Sequence, residues 1–257
     1  MTCPWPVTVV TGATSGIGRA MALEYARRGH LIVGVGRSSK RRATLLHDLA
    51  EISPDVPHEA PGIDVAEQKA MQKLGDRLAE IGRADILIAS AVLGRDASAA
   101  APPRTRDLPL EDWQRAVDVN LHGIFLADHA VLPLMRAAGD GDIIHIGSST
   151  TPAGLRGTPL APAYCATKFA LAALGQQMAR ELGPEGIRVR TVFPGPVDTP
   201  LIASTLLDGA FGGRMSPESF AITLAGLTEL GREMDFPDPH LLPMPRRRSR
   251  KPSTGAS

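Results

Sequence analysis

The 257 residues are 43% hydrophobic and 21% charged, as in ordinary globular domains, and no apolar run approaches the roughly 20 residues of a membrane span. The net charge of +1 is unevenly spread: five basic residues lie within 246–251, and without them the chain carries −4, so we expect no nucleic-acid partner. The N-terminus lacks a secretory signal and the two cysteines, Cys3 and Cys165, indicate a reducing compartment, so we expect a cytoplasmic protein without a membrane partner.

Residues 7–10 form a short β-branched run, typical of a buried parallel strand, and a glycine-rich segment and a helical pattern follow directly. This strand–turn–helix order is the context in which a glycine-rich loop binds dinucleotide phosphates. Gly12 permits a tight turn, Gly16 leaves room for a pyrophosphate, and Gly18 lets the helix pack closely on its strand. Free N–H groups at the helix start then face the anion, whereas the alternative is a glycine-rich turn without a ligand. The candidate phosphate-binding residues are Gly12, Thr14, Ser15, Gly16, Ile17 and Gly18.

The second predicted strand, residues 31–35, ends at Gly36 and Arg37. A carboxylate at a strand end about 20 residues after the glycine loop binds the ribose 2′-hydroxyl of NAD. Here that acid is absent, and a guanidinium is suited to the 2′-phosphate of NADP. Arg37 therefore favours NADP over NAD, the alternative being a solvated, basic helix start.

A predicted helix over 39–51 and a short third strand over 60–63 lead to Asp64 and Val65. The Asp64 carboxylate can accept a hydrogen bond from an adenine amino group or cap the next helix, and both interpretations stay open. The pattern then predicts a helix over 66–81, a strand over 85–89 and an irregular segment over 94–109.

Asn120 lies in the middle of a helical pattern that runs from Leu110 towards Met135. Asparagine is a poor interior helix residue because its side chain competes for backbone hydrogen bonds. It therefore lies either on a wet face or at a position that requires its polarity. The next predicted strand, 142–147, delivers a run of hydroxyl side chains, residues 148–151, to its carboxyl end, where open α/β sheets bind ligands.

Tyr164 and Lys168 lie at the start of a helix predicted over residues 162–182. Their spacing places both side chains on one helix face, and an ammonium near a phenol lowers the pKa of that phenol. The pair can then donate and accept a proton, whereas the alternative is a half-buried tyrosine and an unrelated surface lysine. Later segments alternate as before: a strand over 187–193, a helix over 216–230 and a short strand at 241–242. This alternation predicts an α/β fold with a doubly wound parallel sheet.

Together these motifs resemble the short-chain dehydrogenase/reductase family in its single-domain form, over residues 7 to about 200. The family's catalytic positions fall on Asn120, Ser148, Tyr164 and Lys168. Its cofactor contacts beyond the glycine loop and Arg37 fall on Tyr164 and Lys168 again and on Asp64, Val65, Ala91, Pro194, Gly195, Val197 and Thr199. The resemblance implies a Rossmann-like sheet with helices on both faces, in one domain over residues 1–245 with a variable substrate lid at about 200–235. We expect the basic residues 246–257 to be disordered.

The resemblance also implies a mechanism. Tyr164 exchanges a proton with the substrate oxygen, Lys168 lowers the pKa of Tyr164 and holds the nicotinamide ribose, and a hydroxyl within 148–151 stabilises the reacting oxygen. The implied activity is that of an NADP-dependent ketone or 3-oxoacyl-type reductase that uses no metal. The alternative is an NADP-binding sensor or partner subunit with little turnover. The family further implies a homodimer or homotetramer, built partly on the helices 110–138 and 162–182.

Two features depart from the family pattern. Its Asn-Asn-Ala-Gly motif is replaced by the sequence Ala-Ser-Ala-Val over residues 89–92, which puts the adenosine contact and the anchoring of this strand in doubt. The position of the hydroxyl is also ambiguous. Alignment by the preceding strand selects Ser148, the family's usual spacing from Tyr164 selects Thr151, and Ser149 is a further alternative. We favour Ser148, because the strand end determines where the side chain points.

Overall fold

The structure, a computed structural model, describes residues 3–94, 104–149, 161–201, 213–231 and 233–244. Within these residues the strands are β1 (Val7–Thr11), β2 (Leu31–Val35), β3 (Ile86–Ala89), β4 (Gly141–Ile146), β5 (Ile187–Pro194) and β6 (His240–Leu241). The α-helices there are α1 (Gly16–Arg27), α2 (Ser39–Ile52), α3 (Gln68–Ile81), α4 (Leu110–Val117), α5 (Gly123–Ala138), α6 (Pro162–Leu182) and α7 (Pro217–Thr228). None of these helices is both long enough and apolar enough to cross a lipid bilayer. The expected tail and much of the expected lid, residues 202–212, lie outside the described residues.

The strands pair in parallel in the order β2-β1-β3-β4-β5-β6. From β1 the chain winds outward to β2 and then returns past β1 to β3, so that the direction of winding reverses between β1 and β3. At such a switch point the carboxyl ends of neighbouring strands open a crevice, and ligands of open α/β sheets bind there. The predicted α/β fold, a doubly wound Rossmann-like sheet in a single domain, is confirmed.

Helices cover both faces of the sheet because successive strand residues point to opposite sides. Val9 of β1 belongs to the apolar cluster on one face, and its neighbour Val10 belongs to the cluster on the other face. The first cluster includes Met71 of α3, Val131 of α5 and Leu171 of α6. The second includes Met21 of α1, Leu45 of α2 and Leu224 of α7. The helix that begins at Pro162 therefore packs on the same face as the helix that follows Asn120.

The first and last helices pack against each other. The Tyr25 hydroxyl of α1 lies 2.8 Å from Thr228 Oγ1 of α7, and both side chains are buried. At the rim of this contact, Arg28 forms ion pairs with Glu24 and with Glu229, just beyond α7. The helix that follows the glycine loop is thus held by a segment about 200 residues further along the chain.

Two predicted elements are wrong in detail. Residues 60–63 do not form a strand; the segment touches the outer edge of β2 through two single bridges, Glu59 to Val33 and Gly62 to Gly36. Pro61 lies between these bridges and has no N–H to donate, so a continuous ladder cannot form. The predicted continuous helix from Leu110 is interrupted by a π-helical turn over 118–122, which separates α4 from α5.

Gly175 allows α6 to lie close to the sheet. A Cβ atom at this position would collide with Thr191 Oγ1 of β5 and would lie 3.3 Å from His145 Nδ1 of β4. Protein interiors are packed densely enough that such an overlap must be relieved by movement of the helix or the strand. The position of α6, which carries Tyr164 and Lys168, therefore depends on a glycine two turns further along the same helix.

We expect Gly175→Ala to lower the free energy of unfolding by roughly 1–3 kcal/mol, because the added methyl group overpacks the contact with β5. Gly226→Ala is a matched control, since Gly226 also lies within a helix but has no atom within 4 Å of an added Cβ. In Gly226→Ala, the higher helix propensity of alanine is expected to raise the free energy of unfolding by up to about 1 kcal/mol. Urea unfolding measures both variants, and equal effects would contradict the close contact at Gly175.

Candidate active site

The glycine loop between β1 and α1 has the geometry of an anion-binding turn. Gly12 and Gly16 have φ angles of +68° and +53°, which side chains rarely tolerate. A Cβ atom at Gly18 would collide with the Gly12 carbonyl, so α1 can lie against the loop only with glycine there. Ser15 precedes α1, but its side chain does not cap the helix. The first N–H groups of a helix have no partner within the helix, and here they are available to a ligand.

The strand end that lacks the Asn-Asn-Ala-Gly motif is anchored by a hydroxyl. Thr11 Oγ1 accepts hydrogen bonds from the backbone N–H groups of Ser90 and Ala91, both at 3.1 Å. A Cβ atom at Gly12 would lie 2.9 Å from the Ala91 Cα, so the loop and this strand end are in close contact. The doubt about anchoring is thereby resolved: the carboxyl end of β3 is bound to the end of β1 without an asparagine.

A groove of about 530 Å³ extends from the glycine loop along the ends of β1 and β2. Its lining residues are Gly12, Thr14, Ser15, Val35, Gly36, Arg37, Ser38, Arg41, Ile63, Asp64, Val65, Ala91, Val92, Leu93 and Val119. Most of the predicted cofactor-binding residues on the first half of the chain therefore line one cavity.

Basic groups converge at one end of this groove. The α2 helix begins there, and Ser38 Oγ caps it by accepting a hydrogen bond from the Arg41 N–H at 3.4 Å. The Arg37 side chain is 57% exposed, and its Nη1 lies 3.6 Å from Asp64 Oδ2, a separation at which exposed charges interact weakly. Arg42 is used differently, since it donates to the Ala60 carbonyl at 2.8 Å and does not line the groove.

The two interpretations of Asp64 can now be separated. The carboxylate accepts a hydrogen bond from the Ala66 N–H at 3.1 Å, within a turn that precedes α3. The N-cap of α3 is Glu67, so the alternative that Asp64 caps this helix is wrong. Asp64 and Val65 both line the groove.

Asn120 is fully buried within the π-helical turn, so its polarity is required there and the alternative of a wet face is wrong. Its Oδ1 accepts from the Leu93 N–H at 2.6 Å, and its Nδ2 donates to the Leu93 carbonyl at 3.0 Å. The same Nδ2 donates to Thr167 Oγ1 at 3.3 Å, and that hydroxyl donates to the Tyr164 carbonyl at 2.9 Å. Asn120 therefore connects the segment that follows β3, at Leu93, to the first turns of α6.

Ser148 and Tyr164 meet at the carboxyl end of β4. Burial raises the pKa of Tyr164 above its ordinary value, and the neighbouring Ser148 side chain offsets part of that increase. Ser149 is also buried, and its backbone N–H donates to the Pro194 carbonyl at 3.0 Å. Thr151, the third candidate, lies outside the described residues.

Lys168 is 2% exposed and lies beneath Tyr164. Its Nζ is 5.8 Å from the centre of the tyrosine ring and donates to the Ile146 carbonyl at 2.6 Å. Burial lowers the pKa of Lys168 to about 8. The sequence interpretation has Lys168 lowering the pKa of Tyr164. The structure differs, because burial of the phenol is the dominant influence and raises that pKa.

The segment after β5 returns to the glycine loop. The Gly195 N–H donates to the Leu241 carbonyl of β6 at 2.8 Å, and Val197 pairs with Met215 through a single parallel bridge. Thr199 is buried against the loop: a Cβ atom at Gly16 would lie 3.3 Å from its side chain. The Val197 side chain is also buried and belongs to the apolar cluster that includes Met21 of α1.

Sequence reasoning missed several residues of the site, namely Thr11, Ser38, Arg41, Leu93 and Thr167. Arg41 had a detectable signal, since it follows Arg37 by one helical turn at a predicted helix start. Thr11 opens the glycine-loop motif, but its bond to the end of β3 joins segments that are distant in sequence and had no signal there. Thr167 had no signal either, because its hydroxyl also joins distant segments.

Comparisons with known proteins agree with this geometry. The sequence model of the family described as short chain dehydrogenase matches residues 6–208. A D-threitol dehydrogenase from Mycolicibacterium smegmatis is 36% identical over 197 residues, which cover 76% of this chain and 71% of the relative.

Solved structures share the whole fold. An alcohol dehydrogenase from the archaeon Thermococcus sibiricus, complexed with 5-hydroxy-NADP, has a TM-score of 0.81 and 26% identity, covering 95% of this chain and 99% of that one. A 3-ketoacyl-(acyl-carrier-protein) reductase from Brucella melitensis, complexed with NADH, has a TM-score of 0.80 and 25% identity, covering 92% and 95%. The chain therefore belongs to the short-chain dehydrogenase/reductase family and is an NAD(P)-dependent oxidoreductase that acts on CH–OH or C=O groups.

Proposed function

We propose that the protein is an NADP-dependent reductase of carbonyl compounds, of the ketone or 3-oxoacyl type, in which Ser148, Tyr164 and Lys168 carry the chemistry. The observation that supports this most directly is the buried Lys168 Nζ 5.8 Å from the centre of the Tyr164 ring, with the Ser148 side chain close enough to the phenol to lower its pKa. It places a proton donor, a second hydroxyl and a cation at the carboxyl end of β4, where ligands of open α/β sheets bind.

The groove fits a phosphorylated dinucleotide. Gly12 lines the groove without a side chain, and the N-terminus of α1 offers N–H groups to a pyrophosphate. Arg37 and Arg41 also line the groove, close to the N-terminus of α2. The two guanidinium groups and the positive end of the helix dipole suit a 2′-phosphate. The end of β2 carries Arg37 and lacks the carboxylate that would bind the ribose 2′-hydroxyl of NAD, so we assign NADP rather than NAD.

Further contacts follow from the positions of the remaining residues. Asp64 and Val65 would border the adenine, and the backbone of Ala91 would approach the adenosine ribose. Lys168 would hold the nicotinamide ribose, and the segment Pro194, Gly195, Val197 and Thr199 would border the nicotinamide, with the Val197 backbone near its carboxamide. The bound cofactor would supply the hydride. The protein would hold the cofactor in place and donate the proton.

The proton chemistry favours reduction. Because burial raises the pKa of Tyr164, the phenol is protonated near neutral pH and can donate to a carbonyl oxygen that gains charge. Ser148 can donate a hydrogen bond to the same oxygen and stabilise that charge. Asn120 holds the first turns of α6 through Thr167, and so orients Tyr164.

Relatives support a carbonyl or secondary alcohol as the substrate. Those named above are dehydrogenases of threitol and of alcohols, and one reduces 3-ketoacyl groups on acyl carrier protein. The last of these names corresponds to the 3-oxoacyl type proposed here.

An assembly of two or four copies is part of the proposal. Four large apolar side chains are exposed on α4, α5 and α6: Leu110, Trp113, Phe125 and Phe169. Helices that present such side chains to solvent bury them on association. Cys3 and Cys165 form no disulfide bond with each other, which agrees with a cytoplasmic setting.

Replacing Tyr164 by phenylalanine removes the proton donor and leaves the ring. We expect carbonyl reduction to fall by roughly 10²- to 10⁴-fold while NADPH affinity is retained, since general acid catalysis contributes about that much. NADPH oxidation with a panel of ketones and 3-oxoacyl thioesters measures turnover, and fluorescence titration measures binding.

The matched control is Tyr25→Phe, which removes the hydroxyl of the chain's other tyrosine, bonded to Thr228 away from the groove. It should keep full turnover and lose some stability. Native protein that binds NADPH without reducing any carbonyl compound would favour the sensor alternative over the enzyme.

Arg37→Ala tests the cofactor assignment. We expect it to weaken NADPH binding by roughly 10- to 100-fold, the effect of losing charge-assisted hydrogen bonds to a phosphate, and to leave NADH binding almost unchanged. Lys40→Ala is the control, because Lys40 is an exposed cation three residues further along, in the first turn of α2, and does not line the groove. Equal losses for NADPH and NADH in Arg37→Ala would remove the NADP assignment.

Affinity for NADPH should decrease as the pH rises through about 8, where Lys168 loses its proton. Below that pH the ammonium can donate to the ribose hydroxyls with a full charge, and above it only a neutral amine remains. Fluorescence titration of NADPH on both sides of pH 8 measures this. The same decrease must persist in Tyr164→Phe, which identifies lysine rather than tyrosine as the titrating group; a flat profile would contradict it.

A further inference from the structure

A second pair of polar side chains is buried beneath the proposed catalytic residues. Asp128 of α5 and His145 of β4 are both fully buried, and His145 Nε2 lies 3.0 and 3.2 Å from the two carboxylate oxygens of Asp128. A carboxylate only accepts hydrogen bonds, so Nε2 carries the proton and donates it. The pair joins a helix to the strand at the centre of the sheet.

His145 also contacts α6. Its Nδ1 and the Thr191 hydroxyl have no hydrogen-bond partner within the described residues, and both face Gly175. His145 is therefore the point where β4 is bonded to α5 on one side and supports α6 on the other. These two helices follow Asn120 and carry Tyr164, respectively.

His145 lies near the end of β4, just before two groups of the proposed site, the Ile146 carbonyl and the Ser148 hydroxyl. The next residue, Ile146, provides the carbonyl that accepts the hydrogen bond from Lys168 Nζ, and two residues later the chain reaches Ser148. His145 pairs with Ala89 of β3, and β3 ends there, so no further strand holds Ile146 from that side. A shift of His145 would move both groups relative to Tyr164.

Stability alone does not explain this pair. Burying two ionisable groups costs desolvation energy that their attraction often fails to repay, and apolar replacements of similar size are frequently neutral or stabilising. Neither group contributes to the lowered pKa of Lys168, which has burial as its cause. The contribution of the pair is therefore to geometry.

We propose that the Asp128–His145 hydrogen bond is a positioning device for catalysis. It fixes the end of β4 against α5 and α6, so that the Ile146 carbonyl and the Ser148 hydroxyl meet Lys168 and Tyr164 at the correct separation. This role rests on the proposed function, because the groups it positions are those assigned to carbonyl reduction.

Two variants separate positioning from folding. Asp128→Asn keeps an oxygen that accepts from His145 Nε2–H, and it should retain a kcat close to the native value. The double variant Asp128→Leu/His145→Leu removes both polar groups together and leaves neither unpaired. It should melt at the native temperature or above it, yet lose at least about tenfold in kcat, because small displacements of reacting groups are costly to rate. Its KM for the carbonyl substrate should be unchanged.

A native kcat in the folded double variant would overturn the proposal, and so would an equal loss of kcat in Asp128→Asn. If the double variant does not fold, Asp128→Ala compared with Asp128→Asn provides the same test through the ratio of their kcat values. A ratio near one would then overturn it.

Failure of the proposed function is distinguishable from failure of this inference. Native protein that reduces no carbonyl compound would exclude the function, and the pair would then be tested through Lys168 by NADPH binding. A several-fold weaker NADPH affinity in the folded double variant, and a native affinity in Asp128→Asn, would support the positioning role. An unchanged affinity in the double variant would overturn it.

Discussion

One hydrogen bond, from the Lys168 ammonium to the Ile146 carbonyl, joins the helix of Tyr164 to the strand of Ser148. The sheet itself makes that carbonyl available. The peptide that follows Ile146 donates its N–H to Val192 on the β5 side, so its carbonyl points towards the β3 side, beyond the end of β3. A lysine head group fills the position that a longer strand would occupy. The difference in length between two strands thus creates the place where a cation can be buried with a partner.

Most of the fold follows from patterns that act over short distances. β-Branched runs, glycine turns and helical periodicity predicted the strands of the sheet and the helices that cover it, because these elements depend on neighbouring residues. The two errors have different causes. Residues 60–63 fail as a strand because Pro61, within the segment itself, has no N–H to donate. The helix from Leu110 is interrupted by a π-helical turn where Asn120 bonds to Leu93, a contact with a distant segment.

The same division applies to the site. The spacing of Tyr164 and Lys168 makes them candidates, but the sign of the pKa shift of Tyr164 cannot be predicted from it, since burial can be read only from the folded chain. Likewise, the loss of the Asn-Asn-Ala-Gly motif predicted a weakened strand end. The hydroxyl of Thr11 anchors it instead, through bonds to residues about 80 positions away. Which group satisfies a backbone N–H depends on tertiary contacts that sequence spacing does not contain.

The contact between α1 and α7 has a consequence for biosynthesis. During translation the first helix and its glycine loop emerge early, whereas Thr228, the partner of Tyr25, emerges about 200 residues later. At ordinary elongation rates that interval lasts roughly 10 to 40 s, during which one apolar face of α1 remains uncovered. Contacts of such long range also slow folding. The nascent chain therefore exposes this face of α1 to chaperones until most of the polypeptide has been made.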